Sequence, residues 1–264
     1  MSDEKMIIYH IPGCPFSERV EILARLKGLG DVFDDMEIDI SKERPAWLLE
    51  KTHGSTKLPA MSIENGETIK ESMVIMQYLE DRFPNPRITQ ADPYRHAVEG
   101  MLCSLDMQFS GAGYQMILNR DPEKRDSHKA AVNKQYEQLD EFLNYYAPDR
   151  DFLFEEFGWA EVAFTPMFKR LWFLEYYEHY QVPGHLKRVL RWREACLDHP
   201  ATQGRSHEEL MKLYYDYCQG YGNGAMPEGR KVSSFTLDPH WSKRPMPPRD
   251  KWGVTATDEE LGLV

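Results

Sequence analysis

Over the first third of the chain, short apolar runs alternate with amphipathic stretches; beyond residue 92 only the amphipathic spacing recurs. Residues 5–10, centred on Met6-Ile7-Ile8-Tyr9, predict a strand. Residues 15–29 predict a helix, with Phe16, Val20, Leu23 and Leu26 on one face. The alternation of Asp35-Met36-Glu37-Ile38-Asp39-Ile40 predicts a second strand. A short helix is expected over 46–51, after Pro45. Met61-Ser62-Ile63 and Thr68-Ile69-Lys70 predict two further strands joined through Glu64-Asn65-Gly66-Glu67. Asn-Gly between two such segments signals a hairpin, because the tight turn needs positive φ at its centre. Residues 72–82 complete the series as a helix with Ile75, Met76 and Leu79 turned inward. The order βαβαββα is a complete small α/β unit.

Phe83-Pro84-Asn85-Pro86-Arg87 reads as a linker, since two prolines and an asparagine stop the helix. Helical spacing then covers 93–119, 123–146, 160–177, 186–196 and 207–218, with no strand pattern of comparable strength and no internal repeat. From Gly220 the composition changes. Gly222, Gly224, Pro227, Pro239, Pro245, Pro247 and Pro248 exclude long helices. Phe235, Trp241 and Trp252 make this segment too apolar for a solvated linker, so it is expected to wrap the body in extended form. The expected organisation is an α/β domain over 1–84, an all-α domain over 94–219 and an extended tail over 220–264.

The 264 residues carry a net charge of -11, with a pI of about 5.3 and a mean hydropathy of -0.62. That balance argues against nucleic acid and anionic membrane surfaces as partners, because both demand clustered lysine and arginine. No apolar run approaches the length of a bilayer span. The start, Met1-Ser2-Asp3-Glu4-Lys5, has neither the basic region nor the apolar core of a secretory signal, so cytoplasm is expected. The four cysteines, Cys14, Cys103, Cys196 and Cys218, are widely separated and show no metal-ligand spacing, so no metal is expected.

Cys14-Pro15-Phe16-Ser17 carries the chemistry. Pro15 suits the first turn of a helix, because its missing N–H would be unpaired there anyway. Cys14 then caps the helix, where free amides and the macrodipole favour an anion, and the thiolate is the nucleophile. Ser17 stands where a dithiol motif would have its second cysteine, so any disulfide formed there is most simply resolved by an outside thiol. Two further places bear on ligand binding. If the bond before Pro59 is cis, the Leu58 backbone is presented edge-on and can pair with an extended peptide-like ligand. Glu71-Ser72 opens the third helix, with Ser72 as a cap. The helix end suits a carboxylate and Glu71 suits an amino group, so the pair could hold an amino-acid zwitterion.

On these residues the chain resembles the glutathione transferases, which combine a thioredoxin-like α/β N-terminal domain with an all-α C-terminal domain. Cys14-Pro15-Phe16-Ser17-Glu18-Arg19 resembles the omega-class motif, in which cysteine replaces the usual tyrosine or serine. The resemblance implies that Cys14, with Pro15 and Phe16 beside it, faces glutathione sulfur. It also implies that Leu58 before Pro59 holds the cysteinyl backbone, that Glu71 and Ser72 bind the γ-glutamyl end, and that Arg44 lies near the glycyl carboxylate. Within the class, the segments at 9–20, 157–166, 212–217 and 244–253 resemble the glutathione lyases of bacterial lignin β-aryl ether catabolism. This implies an aromatic glutathione conjugate as substrate, met by Tyr114, Tyr214, Tyr215 and Tyr217, with Tyr217 the first choice for steadying an enolate. A homodimer is expected by analogy with the fold. Many transferases open their central C-terminal helix with a Ser/Thr cap and an aspartate three residues on; here Gly158 and Glu161 stand there, a weaker local signal.

Three other readings use the same residues. A general omega-type thioltransferase or dehydroascorbate reductase would use the same Cys14. A non-enzymatic relative of the intracellular chloride channels also carries Cys-Pro-Phe-Ser, but needs a long apolar segment that this chain lacks. A conjugating transferase would rely on Tyr9, which the pattern puts inside the first strand.

Overall fold

The computed structural model describes residues 5–40, 42–222 and 225–264. The acidic start of the chain (residues 1–4) and Gly224 of the tail lie outside the described residues. Four strands, β1 (Met6–His10), β2 (Phe33–Glu37), β3 (Ala60–Ser62) and β4 (Thr68–Lys70), form one sheet in the order β2-β1-β3-β4. β1 and β2 are parallel, while β3 runs antiparallel to β1 and to β4. Three helices belong to this sheet: α1 (Pro15–Lys27), α2 (Ala46–Lys51) and α3 (Ser72–Arg82). The parallel β1–β2 connection runs through α1, as a parallel pair requires. The β3–β4 connection is the hairpin expected at Asn65-Gly66, with Gly66 at φ 85. The result is a thioredoxin-like α/β domain.

β2 departs from the sequence reading. It pairs from Met6↔Phe33 to His10↔Glu37, ending three residues earlier than the alternation suggests. Ile38 and Ile40 are apolar for another reason: beyond the strand they pack with Tyr9, Leu48 and Leu58 in a small core cluster under the sheet. The Ile38 N–H still reaches the His10 carbonyl at 2.7 Å.

The helical part comprises α4 (Pro93–Cys103), α5 (Asp106–Ile117), α6 (Arg125–Tyr146), α7 (Trp159–Arg170), α8 (Trp172–Tyr177), α9 (Lys187–Asp198), α10 (His207–Leu213) and α11 (Tyr215–Cys218). Three long helices of the sequence reading are therefore broken, at 104–105, at 171 and at 214. α7 is buried along its whole length. It packs Phe164 and Phe168 against Phe109 of α5 and Trp192 of α9, ring centroids 5.2–5.8 Å apart. The weak cap at Gly158 is made good by Glu161. Its carboxylate accepts from the N–H of Gly158 (3.0 Å) and Leu153 (2.8 Å), and from Trp192 Nε1 (2.8 Å). A buried carboxylate with three donors is a satisfied one.

Two buried clamps fix how the halves meet. Glu80 of α3 accepts from Lys27 Nζ (2.6 Å) and from the N–H groups of Ile88 and Thr89 (2.8 and 2.9 Å), so the Pro-rich linker is tied to the sheet domain. Glu18 of α1 accepts from Lys169 (2.7 Å) and Arg170 (2.9 Å) of α7. The tail packs on the body through buried ion pairs. Arg230 pairs with Asp216 (3.0 Å) and Asp258 (2.5 Å), and Lys251 pairs with Glu178 (2.9 Å), all with side chains at most 8% exposed. Among the described residues, no helix is long and apolar enough to cross a membrane.

Candidate active site

The turn 11–14 joins β1 to α1 and sets the position of the thiol. Cys14 N–H donates to Ile11 O at 3.0 Å, and Cys14 takes the N-cap position at φ -66, ψ 125, with Pro15 first in the helix. Gly13 sits at φ 74, a conformation that favours glycine, and a Cβ there would meet the Tyr214 ring at 2.8 Å. The turn is held from behind: Tyr214 Oη donates to Pro12 O at 3.1 Å, and Arg170 Nη2 donates to Gly13 O. The half-buried Cys14 Sγ lies 4.0 Å from Leu58 O, across from the Leu58–Pro59 bond, which is cis. The other thiols differ in kind: burial pushes those of Cys103, Cys196 and Cys218 up, away from the thiolate.

A cleft of about 960 Å³ opens beside this turn. It brings together Phe16, Arg44, Leu58, Pro59, Glu71 and Ser72, six of the residues singled out from the sequence, and its wall includes Ile11, immediately after β1. Arg44, half-buried before α2, donates weakly to Thr56 O (3.4 Å) and Lys42 O (3.5 Å). Burial lowers its pKa, opposed by the Asp39 charge. At the start of α3 the roles differ from expectation. Glu71, not Ser72, is the N-cap residue, and it stands at φ 69 with its carboxylate exposed and 3.8 Å from Lys57. A non-glycine residue held there stores backbone strain, and such strain clusters at ligand sites. Ser72 is the first helical residue; its hydroxyl accepts from Arg19 Nη1 at 3.3 Å instead of capping. Glu71, Ser72 and Met73 all line the cleft, so α3 meets it with its N-terminal end.

Arg19 carried no role in the sequence reading. It is buried, and its guanidinium donates to Ala163 O (2.7 Å), to Ser72 Oγ and to Asp106 (2.5 Å). One side chain thus joins α1, α3, α5 and α7 at the cleft wall. Its signal was present: it lies three residues after Phe16 and four before Leu23, a charge on an inward face. Lys169-Arg170 carried none, because their partner is about 150 residues away.

The four tyrosines separate. Tyr114 and Tyr217 meet edge to face, centroids 6.0 Å apart, and Tyr114 lies 6.4 Å from the Phe16 ring. Burial raises the pKa of both hydroxyls, and Cys14 is among the charges each feels; both are proton donors at neutral pH. Tyr214 is 5% exposed, stacks on Phe173, and spends its hydroxyl on the Pro12 carbonyl, so it supports the turn instead of lining a ligand pocket. Tyr215 is wholly buried and its hydroxyl accepts from Ala256 N–H at 2.9 Å; it fastens the tail and is withdrawn from the site. Tyr9 is buried with its hydroxyl 3.1 Å from Ser62 Oγ, which leaves it nothing to activate.

The chain is similar to known proteins. Residues 8–87 match the family described as glutathione S-transferase, N-terminal domain. The probable glutathione transferase omega-2 of Caenorhabditis briggsae is 26% identical over 229 residues, covering 82% of this chain and 87% of that one. Among solved structures, the rice transferase GST1, determined in complex with glutathione, superposes with a TM-score of 0.70 at 21% identity over 84% of this chain and 100% of that one. The trimeric glutathione transferase TDR1 of Leishmania reaches the same TM-score at 22% identity, over 85% of this chain and 48% of its own.

Proposed function

We propose, for a chain that belongs to the glutathione transferase family and is one of its enzymes, that Cys14 removes glutathione from α-glutathionyl aryl ketones. The observation that supports this reading most is a half-buried cysteine at the N-cap of α1, beside the cleft that holds Phe16, Arg44, Leu58, Pro59, Glu71 and Ser72. Tyr9, the group a tyrosine-type conjugation would need, is buried in β1 and bonded to Ser62.

In the proposed reaction glutathione lies in the cleft. Its glycyl carboxylate faces Arg44, its cysteinyl backbone pairs with Leu58, and its γ-glutamyl end meets Glu71 and the first amides of α3. The Cys14 thiolate attacks the glutathione sulfur. An S–S bond forms, the carbon–sulfur bond breaks, and its electron pair passes into the ketone as an enolate. The enolate takes a proton and leaves as the free ketone. Tyr217, with Tyr114 beside it, supplies a neutral hydroxyl donor to the developing enolate oxygen. A second glutathione thiolate attacks the Cys14–glutathione disulfide and leaves as oxidised glutathione, restoring Cys14. Ser17 offers no internal thiol for that step. Splitting one difficult displacement into two easier ones is the gain of a covalent intermediate.

The protein is proposed to act as a homodimer. Val74 of α3, Tyr94 and Met101 of α4, and Met107 of α5 are 44–73% exposed, apolar surface that self-association would cover. Sedimentation velocity decides between dimer, trimer and monomer.

The test is a product assay with an α-glutathionyl acetophenone and excess glutathione. Equal amounts of acetophenone and oxidised glutathione, absent with Cys14→Ala, support the reading. Turnover of a small glutathione mixed disulfide without any ketone release would reassign the site to general thiol transfer.

A further inference from the structure

The sequence predicts one helix over 207–218, yet that helix is interrupted at Tyr214, where α10 ends and α11 begins. A side chain of the tail stands in the break. In an unbroken helix Asp216 N–H would donate to Lys212 O, and Leu213 O would accept from Tyr217 N–H. Here Asp216 N–H donates to Ser234 Oγ at 3.1 Å, and the same hydroxyl donates to Leu213 O at 3.0 Å. One hydroxyl thus bridges the last residue of α10 and the second of α11, and a side chain inserted into the helical ladder bends it at that point. Ser234 is 1% exposed, so both bonds are made away from water.

We propose that Ser234 is a positioning residue: its hydroxyl fixes α11, and with it Tyr217, beside Tyr114. The proposal rests on the function argued above, in which Tyr217 serves the enolate. A helix of four residues has too few internal bonds to hold its own place, so its surroundings decide where it sits. The residue before Tyr217 is gripped by the tail. Asp216, wholly buried, accepts from Ser234 N–H at 2.8 Å and from Arg230 Nη1 at 3.0 Å. Arg230 is anchored in turn, donating to Asp258 at 2.5 Å and to Ala256 O at 3.2 Å. Ser234 is held from its other side, because Arg244 donates to its carbonyl at 2.8 Å. Tyr217 meets its neighbours through its ring, with Tyr114 at 6.0 Å and Tyr214 at 5.8 Å. Ring contacts are less directional than hydrogen bonds, so the hydroxyl is aimed by the backbone that carries it, and that backbone is set at the break. Tyr114 links this arrangement to the cleft, since it lies 6.4 Å from Phe16 of the cleft wall.

Ser234→Ala removes the hydroxyl alone. The N–H of residue 234 still donates to Asp216, its carbonyl still accepts from Arg244, and Arg230 still pairs with Asp216. The experiment is a double-mutant cycle in the full-length protein, with Ser234→Ala, Tyr217→Phe and the two combined. It reads kcat for acetophenone release from α-glutathionyl acetophenone and, on the same samples, the rate of Cys14 alkylation by iodoacetamide. Ser234→Ala is expected to lower kcat about tenfold, the scale of one lost buried hydrogen bond, and to leave alkylation within about twofold of native. In the Tyr217→Phe background the same change is expected to cost less than about twofold, because the hydroxyl it positions is gone. An equal loss in both backgrounds makes Ser234 a structural residue only, and a matching loss of alkylation places the effect in the Cys14 turn. Either overturns the proposal, as does a native kcat in Ser234→Ala. If the native protein releases no ketone, the reaction assigned above is wrong, and amide hydrogen exchange over residues 214–219 decides the hold on α11 alone. Exchange about tenfold faster or more in Ser234→Ala supports it; exchange at the native rate overturns it.

Discussion

Replacing Glu18 by glutamine should cost this fold more than any other single change that keeps side-chain shape. Glu18 is 2% exposed and is the one carboxylate between two buried cations, Lys169 at 2.7 Å and Arg170 at 2.9 Å. Burial alone would raise its pKa; Arg170 and Lys169 outweigh that and lower it. Glutamine keeps an acceptor for one cation but turns an amide donor toward the other. Lys169 would retain Thr202 O and Arg170 would retain Gly13 O, while Arg170 Nε and Nη1 already have no hydrogen-bond acceptor among the described residues. Breaking a buried pair by removing one partner costs about 3–5 kcal/mol, because an uncompensated charge is left behind. At roughly 2–4 °C per kcal/mol for a chain of this size, Tm should drop by about 6–20 °C. Lys169→Met should cost less, since it leaves Glu18 and Arg170 paired. The effect carries a pH signature. A depressed folded-state pKa means that the stabilisation is present above the unfolded value of about 4.5 and is lost as pH falls through the folded value. The difference between native and Glu18→Gln should therefore shrink in acid. Thermal and urea denaturation followed by circular dichroism at pH 7 and pH 4 measure the loss in Tm, the loss in free energy and its pH dependence. A loss under about 1 kcal/mol at pH 7, or a Lys169→Met loss as large as that of Glu18→Gln, would refute the reasoning.

Tyr217→Phe should lower kcat for ketone release more than it weakens glutathione binding, with equal losses arguing against a role on the enolate; Tyr215→Phe should leave kinetics alone and cost about 1–3 kcal/mol in stability, since Ala256 N–H loses its acceptor. Gly13→Ala, forced into φ 74 against the Tyr214 ring, should displace the thiol and slow alkylation of Cys14 by iodoacetamide, whereas a native rate would show that the turn tolerates a side chain. Glu99, 1% exposed, has its pKa pushed up to about 8, first by burial and then by Glu161 and Glu80. Folding then takes up a proton, so stability should fall as pH rises from about 4.5 to 8, by on the order of 1.4 kcal/mol per pH unit at most; the Tm of Glu99→Gln, followed across that range, should lack this slope.

What the sequence made legible was whatever neighbours in the chain decide. The βαβαββα order rests on alternation, an Asn-Gly turn and a Cys-Pro helix start, all local, and the thiol at the N-cap follows from the same few residues. The edge of β2 was misjudged because Ile38 and Ile40 are apolar for the sake of Leu48 and Leu58, not for the sheet. The break after α4 has no proline or glycine to announce it. Asp106 begins α5 where Arg19, 87 residues earlier, can reach it. The charged groups of the site were hidden for the same reason, since Glu18, Arg19, Lys169 and Arg170 look like ordinary surface charges until chain segments about 90 to 150 residues apart are brought together. Three tyrosines in four residues cannot share one helical face, and the tail decides between them: by binding Tyr215 through Ala256 and Tyr214 through Phe235, it leaves Tyr217 beside Tyr114. The tail thus helps to fix two of the three, Tyr215 by the hydrogen bond from Ala256 and the Tyr214 ring by the contact with Phe235, so which tyrosine is left over is settled by residues far along the chain.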